Sequence, residues 1–227
     1  MSTISERIQQ AQNRIQQATA EAKRPEGSVT LLAVSKTKPA EMVREAHQAG
    51  LSHFGENYLQ DALDKMAQLA DLPLTWHFIG PLQSNKTRPV AEHFHWVHSV
   101  DRDKIAQRLS DQRPAGMAPL NVCLQVNISA EQSKSGVTPE QLPALAELVE
   151  QLPGLNLRGL MAIPAASDDP AEQRQAFARL RALQQQLLVK HPGLTTLSMG
   201  MSNDLEAAIY EGSTMVRIGT ALFGARD

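Results

Sequence analysis

Leu31-Leu32-Ala33-Val34-Ser35-Lys36-Thr37-Lys38-Pro39, carried on by Ala40 to Gly50, is the stretch that decides the fold. Leu31 to Val34 is an unbroken apolar run, the pattern of a strand covered on both faces. Pro39 suits the start of a helix, where its missing N–H is no loss, and Gly50 suits its stop. The segment Ala40 to Ala49 reads as that helix. Strand, short turn and helix together make one unit of a parallel sheet with helices outside it.

The same unit recurs in both directions along the chain. Further strands are predicted at His53-Phe54-Gly55, Thr75 to Ile79, Trp96 to Val100, Val122 to Ile128, Leu155 to Ile163, Thr196 to Met199 and Thr214 to Ile218. Helices are predicted over Asn57 to Leu69, Asp101 to Arg108, Glu140 to Leu152, Glu172 to Lys190 and Asp204 to Glu211. Upstream, Thr3-x-x-Glu6 is a capping-box pattern, and Ile4, Ile8, Ala11, Ile15 and Ala18 recur at helical spacing. Eight strands alternating with helices in 227 residues fit a single (β/α)8 TIM-type barrel, since such barrels begin near about 200 residues. No linker or composition break divides the chain, so residues 1–227 are expected to form one domain. Little sequence follows the eighth strand, and the N-terminal helix is expected to cover the gap where an eighth outer helix would lie.

Composition narrows the function. Lys+Arg of 22 against Asp+Glu of 24 leaves a net charge of −2, which asks for neither nucleic acid nor an anionic membrane. A single cysteine, Cys123, allows no intramolecular disulfide and fits a reducing cytosol; between Val122 and Leu124 it reads as core filler. With no signal-peptide pattern and no apolar run of membrane-spanning length, a cytoplasmic protein is expected.

Lys36 then stands out. Stranding an ammonium group at the end of a buried strand costs several kcal/mol unless it is paired or neutralised. It is either an exposed lysine just past the strand or a desolvated amine able to add to a carbonyl as a Schiff base. The barrel favours the second, because these folds carry their chemistry at the C-terminal ends of the strands. Lys38 is the rival amine, placed in the turn beside Pro39 and expected to be more exposed. After the seventh strand, Gly200-Met201-Ser202-Asn203-Asp204 turns into a helix, with Asn203 and Glu206 spaced as a cap. The eighth ends in Gly219-Thr220. Loops after strands seven and eight commonly seat phosphate in this architecture. Arg217 alternates with Val216 and Ile218, facing either into the barrel as a buried charge or outward to solvent. Imine-forming lysine, phosphate seat and arginine together suggest pyridoxal 5'-phosphate.

Other candidates have plainer readings. His77 lies in an apolar strand, where a hydrogen-bonded core histidine is the default. Met161 reads as packing, and Asn85, Lys86 and Arg88 as a solvated loop. His93-x-His95-x-x-His98 matches no standard metal spacing, so no metal is expected.

The sequence resembles the pyridoxal phosphate homeostasis protein family, whose barrel is related to the N-terminal domain of alanine racemase. The likeness runs along nearly the whole chain. It is carried by Leu32 to Lys38, Phe54-Gly55-Glu56-Asn57-Tyr58, Trp76 to Lys86, Gly159 to Ile163, Met199 to Ser202 and Arg217 to Thr220. The resemblance implies that Lys36 carries the cofactor as an internal aldimine. It also implies that Ser202, Gly219 and Thr220 hold the phosphate, that Arg217 faces the ring nitrogen, and that Asn57, His77 and Met161 line the ring pocket. Asn203 departs from the Ser or Asp often found there, with little expected effect. Alanine racemase takes a second catalytic base, a tyrosine, from a C-terminal domain of the partner subunit. This chain ends just past its barrel, and neither Tyr58 nor Tyr210 stands at the corresponding place. The expectation is therefore a monomeric carrier that holds pyridoxal phosphate and passes it to apo forms of pyridoxal phosphate enzymes. Alternatives are an amino-acid racemase and a cofactor-free class I aldolase.

Overall fold

The eight strands close on themselves in sequence order. In the computed structural model, residues 1–132 and 135–225 are described. The strands are β1 (Thr30–Val34), β2 (His53–Glu56), β3 (Thr75–Phe78), β4 (Trp96–Val100), β5 (Leu120–Gln125), β6 (Leu155–Met161), β7 (Thr196–Ser198) and β8 (Met215–Ile218). All neighbours are parallel. β8 returns to β1 with Leu32 opposite Arg217 and Ala33 opposite Ile218, which completes the predicted (β/α)8 barrel.

Two apolar cores follow from strand alternation. Leu31 and Ala33 of β1 and Val216 and Ile218 of β8 pack outward against the helices, in the large core between barrel and outer layer. Leu32, Ile79 and Met215 form a separate small cluster inside the barrel, with Val34 against it. Because Val216 and Ile218 face the helices, Arg217 faces the barrel interior, resolving the choice its sequence left open. Fully buried Cys123 alternates with outward-packed Val122 and Leu124, and burial pushes its thiol up to about 12, so it acts as packing rather than as a thiolate.

The outer layer is α1 (Ile4–Glu21), α2 (Ala40–Gln48), α3 (Leu59–Gln68), α4 (Thr87–His93), α5 (Asp103–Gln112), α6 (Leu142–Gln151), α7 (Pro170–Leu188), α8 (Leu205–Tyr210) and α9 (Thr220–Phe223). Thr3 caps α1 by accepting from the Glu6 N–H at 3.1 Å, as the capping-box pattern predicts. Ile4, Ile8, Ala11, Ile15 and Ala18 are its buried face. α8 and α9 are short, and α1 packs against both and against α2, filling the eighth outer position. Burying each α1 isoleucine contributes about 1.5–3 kcal/mol, so deleting residues 1–24 is expected to yield aggregation-prone protein with a sharply lower melting temperature. A truncated chain that melts with the full-length protein would remove this role.

Some element boundaries differ from expectation. The stretch read as a loop around Asn85, Lys86 and Arg88 is a 3-10 turn, Ser84–Lys86, leading into α4. Pro89 masked this helix, yet proline is tolerated in a first turn. Thr87 Oγ1 lies 2.7 Å from Gln112 Oε1, and Arg108 Nε donates to Ser84 O at 2.8 Å, so α5 holds the turn in place. β5 ends at Gln125, before the predicted Ile128: Val126 still donates to Met161 O at 2.9 Å, but it also bridges Val137, and Asn127 then donates to Val137 O at 2.9 Å. Among the described residues no helix is long and apolar enough to cross a membrane.

Candidate functional site

A cavity of about 620 Å³ opens at the C-terminal ends of the strands. Six of the eight residues singled out from sequence share its wall: Lys36, Asn57, Ser202, Arg217, Gly219 and Thr220.

Lys36 is aimed into the cavity by what happens on the far side of its strand. Ser35 N–H extends the ladder by donating to Gly55 O at 3.0 Å. The Ser35 hydroxyl donates to Glu56 Oε2, on the outer face. Lys65 of α3 donates to Ser35 O at 2.7 Å and to Glu56 Oε2 at 2.9 Å, and pairs with Asp61 Oδ2 at 3.0 Å. Ser35 is thus pinned outward, and alternation turns Lys36 inward. Thr37 follows at φ 65°, the left-handed region, a sparsely populated conformation for a β-branched residue, held by its N–H donating to Asp61 Oδ2 at 3.3 Å. Lys36 is half-buried, and its amine has no hydrogen-bond partner among the described residues. Lys38 is half-buried as well, and its Nζ is engaged, donating to Ala225 O at 2.7 Å.

The adjoining part of the wall comes from the ends of β7 and of β8, the strand paired with β1. Gly200 has φ 102°, and a Cβ there would lie 2.6 Å from the Ala208 Cβ, so only glycine suits this turn. Met201 N–H donates to Asp204 Oδ1 at 2.7 Å, and burial raises the Asp204 carboxyl above its usual range. The predicted Asn203–Glu206 cap does not form. Asp204 is the residue at the start of α8, and Glu206 instead pairs with Arg14 of α1 at 2.6 Å. Arg14 also donates to Ser202 O at 2.8 Å, which ties the turn to the N-terminal helix. Gly219 precedes α9, where a Cβ would lie 3.2 Å from Val34 O.

Arg217 is 5% exposed. Its Nη1 donates to Ser198 O at 2.8 Å and Ser198 Oγ at 2.7 Å, and its Nη2 donates to Ala162 O at 3.0 Å. Burial lowers its pKa to about 10, with Asp204 opposing, so it stays a cation at neutral pH. Asn57 adds a buried Oδ1 with no partner. A buried acceptor left unmatched beside a cavity fits a ligand that brings a donor.

His77 and Met161 are not on the wall. Both are buried inside the barrel, and Ile79 and Ile163, two residues further on and just past the ends of β3 and β6, take the wall positions. His77 is hydrogen-bonded on both sides, its Nε2 2.9 Å from His53 Nδ1 and its Nδ1 2.9 Å from His98 Nε2, and it stacks on Trp96 with ring centroids 5.3 Å apart. His93, His95 and His98 do not converge: His95 Nδ1 accepts from the Trp76 N–H at 2.9 Å, while His98 lies in the barrel interior. Among the described residues no group of three side chains is placed to hold a metal. The loop Pro164 to Asp168 after β6 also lines the cavity; sequence reasoning passed over it, although its position after a strand's C-terminal end was the available signal.

The family model described as "Alanine racemase, N-terminal domain" matches residues 7–227. A protein named pyridoxal phosphate homeostasis protein from Pseudomonas aeruginosa is 70% identical over 227 residues, 100% of this chain and 97% of that one. Its namesake from Escherichia coli is 52% identical over 230 residues, 100% of this chain and 98% of that one. PipY of Synechococcus elongatus, solved with PLP bound, aligns with a TM-score of 0.83 at 42% identity, over 98% of this chain and 100% of that one. Alanine racemase from Corynebacterium glutamicum shares the fold alone, with a TM-score of 0.67 at 18% identity over 98% of this chain and 61% of that one. With relatives at such identity along its whole length, the chain belongs to the pyridoxal phosphate homeostasis protein family, built on the barrel of the alanine racemase N-terminal domain.

Proposed function

We propose that this chain binds pyridoxal 5'-phosphate in the cavity at the C-terminal ends of its strands, holds it through Lys36 and releases it to apo forms of pyridoxal phosphate enzymes. The observation that carries the reading is the pairing, on one cavity wall, of an unpartnered amine at Lys36 with a buried cation at Arg217. When bound, the cofactor supplies an aldehyde to which an amine adds reversibly with loss of water. Lys36 presents that amine, whereas Lys38 is occupied by Ala225 O. Ser202 and Thr220 offer hydroxyls, and the Gly219-Thr220 turn offers backbone N–H groups, to a phosphate. Asn57 Oδ1 accepts from a donor on the ring, and His77 and Met161 support the site from below the wall.

Arg217 inclines the site toward holding. A guanidinium facing a pyridine nitrogen disfavours protonation of that nitrogen, so the ring withdraws electrons less strongly than one paired with a carboxylate. Among the described residues, the ionisable groups of the wall are Lys36, Lys38, Asp168, Asp204 and Arg217, with neither tyrosine nor histidine among them. Tyr210 donates to Glu21 of α1, away from the cavity. The whole chain then serves as one binding barrel, a cytoplasmic monomer independent of nucleic acid and membrane, in keeping with its net charge of −2 and lone buried cysteine.

Titrating the purified protein with pyridoxal phosphate is expected to give a saturable visible absorbance band. Lys36→Ala should lose the band completely while unfolding like the parent, and Lys38→Ala should keep it. A protein that never colours, or a folded Lys36→Ala that does, rejects the reading. Loaded protein should also reactivate an apo-enzyme. Robust racemisation of an amino acid, blocked by Lys36→Ala, would replace the carrier role with an enzymatic one.

A further inference from the structure

A file of hydrogen-bonded side chains runs through the barrel from Arg217 to its opposite end. Arg217 Nη1 donates to Ser198 Oγ at 2.7 Å, and Ser198 Oγ lies 2.8 Å from His98 Nδ1. His98 Nε2 is 2.9 Å from His77 Nδ1, and His77 Nε2 is 2.9 Å from His53 Nδ1. The last member, half-buried His53, lines a second cavity of about 510 Å³ beside Gln12, Gln16 and Thr19 of α1. Two nearly parallel requirements make this more than a packed polar core. Every side-chain polar atom between the two ends, on Ser198, His98 and His77, is matched, and one end is a group that only donates.

We propose that Arg217 fixes the direction of the whole file, and that His98, His77 and His53 form a positioning device that holds the guanidinium in place on the cavity wall. A guanidinium has no acceptor, so Ser198 Oγ must accept from it. Ser198 is fully buried, and among the described residues its proton has no acceptor but His98 Nδ1, which leaves the His98 proton on Nε2. That proton points at His77 Nδ1, and the same logic places the His77 proton on Nε2 and the His53 proton on Nε2. Three imidazoles thereby share one tautomer, each with its accepting nitrogen toward Arg217. All three are held neutral: burial is the first cause for each, and neighbouring charges add to it for His77 and His98, Arg217 acting on His98. The aligned ring dipoles turn their negative ends to the cation, which has no carboxylate bonded to it. His77 thus reaches the cavity through Arg217, not by touching what the cavity holds.

Long-range proton–nitrogen NMR spectra of the ligand-free protein at neutral pH test the direction without any substitution. Protonated Nε2 and bare Nδ1 are expected for His53, His77 and His98. A protonated Nδ1 on His98 or His77, or tautomers in exchange, overturns the proposal. The link to the cofactor rests on the function proposed above and has its own readout. His98→Leu removes the acceptor from Ser198 and is expected to weaken pyridoxal phosphate binding by about tenfold to a hundredfold, the scale of a hydrogen bond to a charged group, and to shift the absorbance maximum. In His98→Asn the amide oxygen can accept in place of Nδ1, and most of the affinity should return. Equal affinity in the leucine and asparagine variants would reduce the file to structural filling. If the parent protein binds no pyridoxal phosphate, the proposed function fails, and the NMR result still decides the file.

Discussion

Lys65→Met is expected to destabilise the protein by about 3–5 kcal/mol, the usual loss when one partner of a buried ion pair is removed. Lys65 is 2% exposed and Glu56 0% exposed, so neither charge can turn to water. Burial already raises the Glu56 carboxyl, and Lys65 is the largest influence opposing that rise. Without the ammonium group, Glu56 is left with the Ser35 hydroxyl and one oxygen that has no partner even in the parent. The raised folded-state value sets the pH dependence. The protonated carboxyl is the form the folded variant tolerates, so the deficit should be smallest near pH 4 and grow as the pH rises. Adding Glu56→Gln should restore much of the loss, because a neutral amide needs no counter-charge. Urea unfolding of the parent, the single and the double variant measures all three. A single variant within about 1 kcal/mol of the parent would show the pair to be idle.

Acidification should act as strongly through the barrel interior. His98 titrates at about 3 in the fold and His77 well below its ordinary value, against about 6.5 in the unfolded chain. Both folded values are depressed, so below pH 6.5, and for His98 down to about pH 3, the unfolded state binds protons that the native state refuses. Stability from this source is complete above pH 6.5 and falls as the pH drops, by about 1.4 kcal/mol per pH unit for each histidine. For His98 that amounts to roughly 2 kcal/mol lost by pH 5, and His77 adds to the loss in the same direction. Urea midpoints at pH 7 and pH 5 should differ accordingly, and less in His98→Asn. Equal midpoints in the parent would mean that the rings take up protons within the fold.

The barrel was legible because parallel strands covered on both faces leave continuous apolar runs such as Leu31 to Val34, and because proline and glycine punctuate the helix between them. Lys36, Ser202 and the Gly219-Thr220 turn were legible for the same reason: in a parallel barrel, sequence position after a strand is also position in space. Depth was not legible. Alternation places His77 and Met161 inside the barrel but says nothing of how far below the rim, and the isoleucines two residues on prove to be the wall. The Glu56–Lys65 pair went unread, although Lys65 falls on the buried stripe of α3 with Ala62 and Leu69, where a charge demands a partner. Helix α4 was hidden by Pro89 and by its brevity, and strand β5 was read too long because Val126 and Ile128 continue its apolar pattern while the chain turns away to pair with Val137.

Closure by β8 against β1 has a consequence for how the molecule comes into being. The pairing of Leu31 with Val216 and Leu32 with Arg217 joins residues near opposite ends of the chain, contacts whose loop-closure entropy must be met before they stabilise anything. On a ribosome, the first seven strands emerge with two open edges, each a template for pairing with a neighbouring chain. Those edges are sealed only when Met215 to Ile218 arrives, and that same segment brings Arg217. Protection from aggregation and the cation of the cavity wall are therefore acquired in one late event, and a nascent chain stalled before β8 has neither.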